Sequence, residues 1–174
     1  VGDDGRLLMT EKRFGTFRKK YQPYKEIYEK NKKYESFANW YFEKKLLGYS
    51  YSCRLKEVFE KESNTIKDSL HYDAMESGER SKFIGVVEDS FRKTSGNGNQ
   101  YIKVLLSDEL GNFPAIMVDS RRQRTCSMYL EAGNKIPEKD NIVVIVGRKA
   151  DDVLFIDSMS IVDEKICMKL SDLK

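Results

Sequence analysis

Flat rings and cations spaced a few residues apart are the chemical groups this sequence offers most plainly. Tyr101, Lys103 and Phe113, with Arg92 and Lys93 upstream and Arg148 and Lys149 downstream, combine rings on which bases stack with charges that neutralise phosphates, the two needs of a single-strand binder. A base stacked on Tyr101 or Phe113 would contribute about 1–3 kcal/mol. For Phe113 a packed edge position is an equal alternative; Tyr101 and Lys103 read as contact residues. A second mixed run lies at residues 14–34, where Phe17, Tyr21, Tyr24, Tyr28 and Tyr34 stand among Lys19, Lys20, Lys25, Lys30, Lys32 and Lys33. Tyr21, Tyr24 and Tyr28 are three and four residues apart, on one helical face, so a half-buried amphipathic helix is favoured there over strand binding.

Catalytic chemistry fits the chain poorly. The single histidine, His71, sits in a polar stretch with no nucleophile at motif spacing, and reads as a surface side chain. Ser95-Gly96-Asn97-Gly98-Asn99 is glycine-rich but lacks the Gly-Lys-Ser/Thr ending of a phosphate-binding loop, which leaves a flexible hairpin connection. Glu88-Asp89 and Asp151-Asp152 are adjacent acid pairs; neighbours on a strand point to opposite faces and Asp-Asp suits a turn, so neither makes a two-metal site. Cys53, Cys126 and Cys167 are odd in number and far apart, which suggests neither a disulfide framework nor a zinc site. Arg121, Arg122 and Arg124 form a local positive cluster that could lower the pKa of Cys126, although a small buried side chain is the simpler reading. No metal or other cofactor is expected.

The elements that must position these groups are strands. Apolar runs of strand length over residues 82–93, 101–107 and 112–118 are separated by the Ser/Gly/Asn loop and by the turn Asp108-Glu109-Leu110-Gly111-Asn112. Two further runs lie at residues 142–146 and 153–162, with Arg148 and Lys149 in the turn between them, and a short helix is expected within residues 119–132. Five strands with a helix between the third and fourth outline an OB fold, a small Greek-key barrel. Alternation turns Ile102, Val104 and Leu106 inward and Tyr101, Lys103 and Leu105 outward, with Gly85 a candidate bulge or close backbone approach. Ahead of the barrel, residues 34–47 make the best helix, with Phe37, Trp40, Tyr41 and Leu47 on one side and Gly48 as its C-terminal stop. The expected architecture is α+β: a small N-terminal helical region (1–62), a connector (63–80) and a five-stranded OB-fold barrel (81–174).

Charge divides along the chain. Residues 1–70 hold 16 Lys/Arg against 11 Asp/Glu, while residues 71–174 hold 15 against 17, so the basic excess lies ahead of the barrel. With no leader pattern, no apolar run of membrane-span length and a first residue Val1, the sequence reads as a piece of a longer cytoplasmic protein.

Order and spacing then bring a family into view. Phe42-Glu43-Lys44-Lys45-Leu46-Leu47-Gly48-Tyr49-Ser50-Tyr51-Ser52 is followed by Phe83-Ile84-Gly85-Val86-Val87, the loop to Tyr101, Leu106-Ser107-Asp108-Glu109-Leu110-Gly111 and Ile145-Val146-Gly147. This succession, over residues 34–162, resembles the C-terminal part of bacterial DNA polymerase III alpha subunits, the C-family replicative polymerases. That family carries a helical segment ending in a Glu-Lys-Glu-x-Leu-Gly-Phe-Tyr-like motif, then an OB domain whose second strand ends in an acidic-x-x-Gly turn. Its members usually continue the helix motif with Ser-Gly-His-Pro-Leu, where this chain has Ser52-Cys53-Arg54-Leu55, a departure that a divergent, phage-encoded member would explain. The resemblance implies a non-catalytic part of a DNA-directed DNA polymerase, since the family's catalytic carboxylates lie upstream. It also implies an OB domain that holds the single-stranded DNA template near the polymerase. Two alternatives stand beside it: an OB module that docks on other replisome subunits, which the acidic barrel half suits, and the anticodon-binding OB domain of an aminoacyl-tRNA synthetase.

Overall fold

The structure, a computed structural model, describes residues 10–60, 65–121 and 123–162. Three helices lead: α1 (Glu11–Asn31), then after a 3₁₀ turn α2 (Glu35–Leu47) and α3 (Leu55–Glu60). A short strand β1 (Ile66–Lys67) and helix α4 (Ser69–Ala74) precede β2 (Arg80–Thr94), β3 (Gln100–Ser107) and β4 (Asn112–Val118). Helix α5 (Thr125–Glu131), β5 (Ile142–Ala150) and β6 (Val153–Ile161) complete the order. The strands pair in the order β1-β2-β3-β4-β6-β5, and β5 returns to β2. The closed ring is therefore β2-β3-β4-β6-β5, with β4 and β6 parallel and α5 on the crossover between β4 and β5. This is the OB topology, reached in an α+β chain.

β2 holds the ring together because it serves two partners. Residues from Arg80 to Val86 pair with β5, and those from Val86 to Thr94 pair with β3, the change of direction being taken up by a bulge between Val87 and Asp89. Gly85 serves a different purpose: a Cβ there would lie 3.2 Å from the Ser107 carbonyl oxygen. Phe83 to Val87 are all buried, since both faces of this half-strand are covered. Phe83 and Val87 join Ile102, Val104, Leu106, Phe113, Ala115 and Met117 inside the barrel. Ile84 and Val86, with Ile142, meet Phe37, Trp40, Leu55 and Phe59 of the helices on the outside.

Polar clamps fix the helical layer to the barrel. Glu109, in the turn between β3 and β4, accepts hydrogen bonds from Trp40 Nε1 (2.5 Å) and from the Leu55 backbone N–H (3.2 Å). Its neighbour Asp108 accepts from the Ser69 N–H (2.7 Å) and hydroxyl (2.6 Å), and from the backbone N–H groups of Leu110 and Gly111. Helix α2 ends at Gly48 in the left-handed conformation (φ 83°), where only glycine is unstrained. Behind it Glu43 gathers the Ser52 hydroxyl and N–H, the Tyr51 N–H and the Ser50 hydroxyl.

The described part of the expected connector 63–80 pairs β1 with β2 and seats Tyr72 and Met75 in the barrel core. Two expectations change. Leu47, expected on the packed side of α2, is exposed. Helix α1, expected to be half-buried, buries none of its residues; periodicity places side chains on one face but does not say what that face meets.

Candidate nucleic-acid interface

Residues directly opposite in neighbouring strands share a face, and strand register assembles one row across the barrel. Phe91 pairs with Lys103, Lys103 with Ile116, Ile116 with Phe155, and Phe155 with Arg148. A second row runs beside it, from Lys93 to Tyr101 to Val118. The two rows touch. Phe91 and Tyr101 meet edge to face with centroids 6.3 Å apart, and Lys93 Nζ lies 4.9 Å from the Phe91 ring centroid. Ile116 and Val118 are half-buried, Lys103 and Arg148 exposed, and Phe155 is 41% exposed. The result is a band of rings and aliphatic surface with cations at Lys93, Lys103 and Arg148. Beyond Arg148 the row continues to its β2 partner Arg80, which is held 2.8 Å from Asp157.

This arrangement gathers four of the seven residues proposed from the sequence: Lys93, Tyr101, Lys103 and Arg148. The other three fall elsewhere, each for a local reason. Phe113 is not on the open face; it is fully buried, stacked on Tyr72 at 4.7 Å and beside Phe83 at 5.2 Å. The phase of β4 decides this, because Phe113, Ala115 and Met117 must fill the barrel together. Lys149 is drawn to α4, where Nζ donates to the carbonyl oxygens of Tyr72 (2.8 Å) and Asp73 (3.2 Å) and lies over the Tyr72 ring. It stabilises the helix C-terminus rather than facing a ligand. Arg92 pairs with inward-pointing Ile102, so it lies on the opposite side of the hairpin, where it donates to Gln100. Phe155, absent from the residues proposed, was available to an alternation argument, since it lies between Leu154 and Ile156, both buried; Phe91, also absent, was not, because counting by twos from buried Phe83 and Val87 turns it inward.

The loops at the ends of the band are compact. Residues 95–99 close the β2–β3 hairpin through hydrogen bonds between Ser95 and Asn99, with Gly98 at φ 79°. Arg148 and Lys149 are not in a loop, since β5 runs on to Ala150 and only Asp151 and Asp152 turn the chain. Beside the hairpin, where its N–H donates to the Gln100 carbonyl, Asp119 also holds the start of α5, accepting from the Ser127 N–H and hydroxyl. Burial pushes the Asp119 carboxyl up, but those bonds, another from the Cys126 N–H and the nearby Arg124 outweigh it and hold the group below its ordinary range. Arg124 itself is paired with Glu131 at 2.7 Å, and Arg122 lies outside the described residues. Burial pushes the Cys126 thiol up, with Asp119 adding to the effect and Arg92 opposing it, so Cys126 is a core side chain and no thiolate. Cys167 lies outside the described residues. Among the described residues no helix is long and apolar enough to cross a membrane.

No protein-family model and no curated protein sequence matches the chain. Solved structures similar to it include a domain of replication protein A from Methanococcus maripaludis, at 12% identity and a TM-score of 0.42 over 56% of this chain and 94% of that one. The mitochondrial single-stranded DNA binding protein Rim1 of S. cerevisiae matches at 12% identity and 0.39, covering 50% of this chain and 97% of that one. The telomere capping protein Ten1 of S. pombe matches at 14% identity and 0.39, covering 63% and 92%. At these identities and scores the likenesses carry nothing about function; the fold is assigned by the strand order and ring closure described above.

Proposed function

We propose that the barrel binds single-stranded nucleic acid across the face formed by Phe91, Tyr101, Lys103, Phe155 and Arg148. The observation that supports it is the register-built row itself: exposed or half-exposed rings from three strands, with cations interleaved, on the outside of a barrel whose interior is already filled. Rings that their own fold leaves exposed or half-exposed can stack bases, and the lysines and Arg148 stand where a backbone crossing the band would place phosphates.

The parent of this chain, in the same proposal, is a C-family replicative polymerase alpha subunit. The support is that the second stretch meets residues on either side of the first: the acidic turn supplies Glu109 to Trp40 and Leu55, which flank the Phe42-to-Ser52 motif. The motif residues then read as the joint between a helical region and an OB domain that holds template. The test is fluorescence anisotropy with labelled oligo-dT. Tyr101→Ala and Phe155→Ala should each weaken binding at least about fivefold, the low end of one lost base stack. Unchanged affinity in both variants would sink the face as the binding surface and turn attention to protein docking.

A further inference from the structure

We infer that α1 is a second nucleic-acid contact surface, a ridge of rings flanked by cations that engages the same strand as the barrel face. The ligand's identity rests on the proposed function above; the surface is a different one. Phe14, Phe17, Tyr21, Tyr24 and Tyr28 recur at spacings of three, four, three and four, which places all five on one helical face. Each is between 46 and 71% exposed. Five aligned rings in water are an unusual cost for a folded chain and mark a contact surface. A 21-residue helix that buries no residue also gains nothing from packing, which leaves it marginal until something covers it.

Charge selects the occupant. On the α-helical surface Arg13 and Lys20 border the ring stripe on one side, Arg18 and Lys25 on the other. None of these four forms a salt bridge among the described residues. A second copy of α1 is a poor partner: in a parallel pair the flanking positions would set Lys20 against Lys25 and Arg13 against Arg18, and in an antiparallel pair Glu11, seven residues before Arg18, is the one acid on those two rows. The partner is therefore a polyanion. The stripe itself favours nucleic acid over an acidic protein helix, because its five positions are all rings, three of them with hydroxyls, and the one exposed aliphatic side chain of the helix, Ile27, lies at its border in line with Lys20. An apolar helix seam would be seated by leucines; rings of this kind stack on bases. The stripe is ordered for that use, since the Phe17 and Tyr21 rings lie nearly parallel (6°) with centroids 6.0 Å apart, and the Arg18 guanidinium sits 5.5 Å from the Phe14 centroid.

The experiment is oligo-dT anisotropy on the full chain with an oligonucleotide of about 20 nucleotides, longer than a single OB face usually occupies. Three proteins are compared: wild type, the ridge variant Phe17→Ala/Tyr21→Ala/Tyr24→Ala, and the face variant Tyr101→Ala/Lys103→Ala. Because α1 contributes nothing to either core, the ridge variant should unfold at the wild-type temperature and still lose at least about fivefold in affinity. Wild-type affinity in the ridge variant overturns the inference and leaves the barrel reading standing. Loss in the ridge variant with none in the face variant keeps the ridge and refutes the barrel face. Displacement of the oligonucleotide by polyglutamate of equal charge as readily as by unlabelled oligo-dT overturns the inference in favour of an acidic protein partner.

Discussion

Replacing Glu109 with alanine should loosen the joint between the helices and the barrel, and the size of the effect follows from what the carboxylate holds. It receives the indole N–H of Trp40, a side chain only 2% exposed, and the backbone N–H of the fully buried Leu55. A hydrogen bond to a charged group contributes about 1.5–3 kcal/mol, and a donor left unmade in a buried site costs about 1–3 kcal/mol. Glu109 itself is exposed, so water can reach part of the vacated position and the two losses do not add in full. The expected destabilisation is about 2–3 kcal/mol, against about 1 kcal/mol or less for Glu109→Gln, which keeps the acceptor oxygen. Trp40 is the sole tryptophan, which makes urea unfolding followed by its fluorescence the natural assay. Glu109→Ala should lower the midpoint and shift native emission to the red as the indole is wetted. A change within about 0.5 kcal/mol, the level of an ordinary surface substitution, would refute the clamp.

The Glu43 carboxyl is held at about 2 by the Ser52 hydroxyl, the Ser52 and Tyr51 N–H groups and the Ser50 hydroxyl. A pKa depressed on folding contributes stability above the unfolded value of about 4.5 and loses it as pH falls through the folded one. The melting-temperature gap between wild type and Glu43→Gln should therefore be widest near neutrality and close between pH 4.5 and 2; a constant gap would contradict this. Gly147→Ala places a Cβ 2.5 Å from the Phe155 carbonyl oxygen at the β5–β6 bulge, so a loss of about 1–3 kcal/mol in chemical unfolding is expected, as for an overpacked core. The buried Tyr72 hydroxyl has no partner among the described groups, so Tyr72→Phe should leave stability equal or higher, and a measured loss above about 1 kcal/mol would reveal a bond to that oxygen.

Alternation carried most of the barrel. Strand β4 spans the residues its apolar run marked, and β3 begins one residue early, because Ile102, Val104 and Leu106 fill the interior with strict period two. Where regularity breaks, the sequence was harder to read. Gly147 resembles a strand end, but it is the residue that lets β6 approach at a bulge, and β5 continues past it. That continuation turns adjacent Arg148 and Lys149 to opposite sides, one onto the face and one onto α4. The bulge after Val87 likewise resets the phase of β2 and hid Phe91. Glu109 looked like a turn residue, since nothing local records that Trp40, 69 residues earlier, donates to it. The α1 stripe was legible as a face, and only the tertiary structure shows that the face is bare.

The central claim is tested most directly by the salt dependence of oligo-dT binding, measured from about 50 to 200 mM salt for wild type and Lys103→Ala. In the proposed reading Lys93, Lys103 and Arg148 would provide three phosphate contacts on the barrel face, so the slope of log K against log salt should be about −2 or steeper, at roughly −0.7 per contact on a single strand. Removing Lys103 should make it shallower by about 0.7. Saturable binding with those two slopes is the predicted result; the absence of binding at any salt, or a slope that Lys103→Ala leaves untouched, would contradict it.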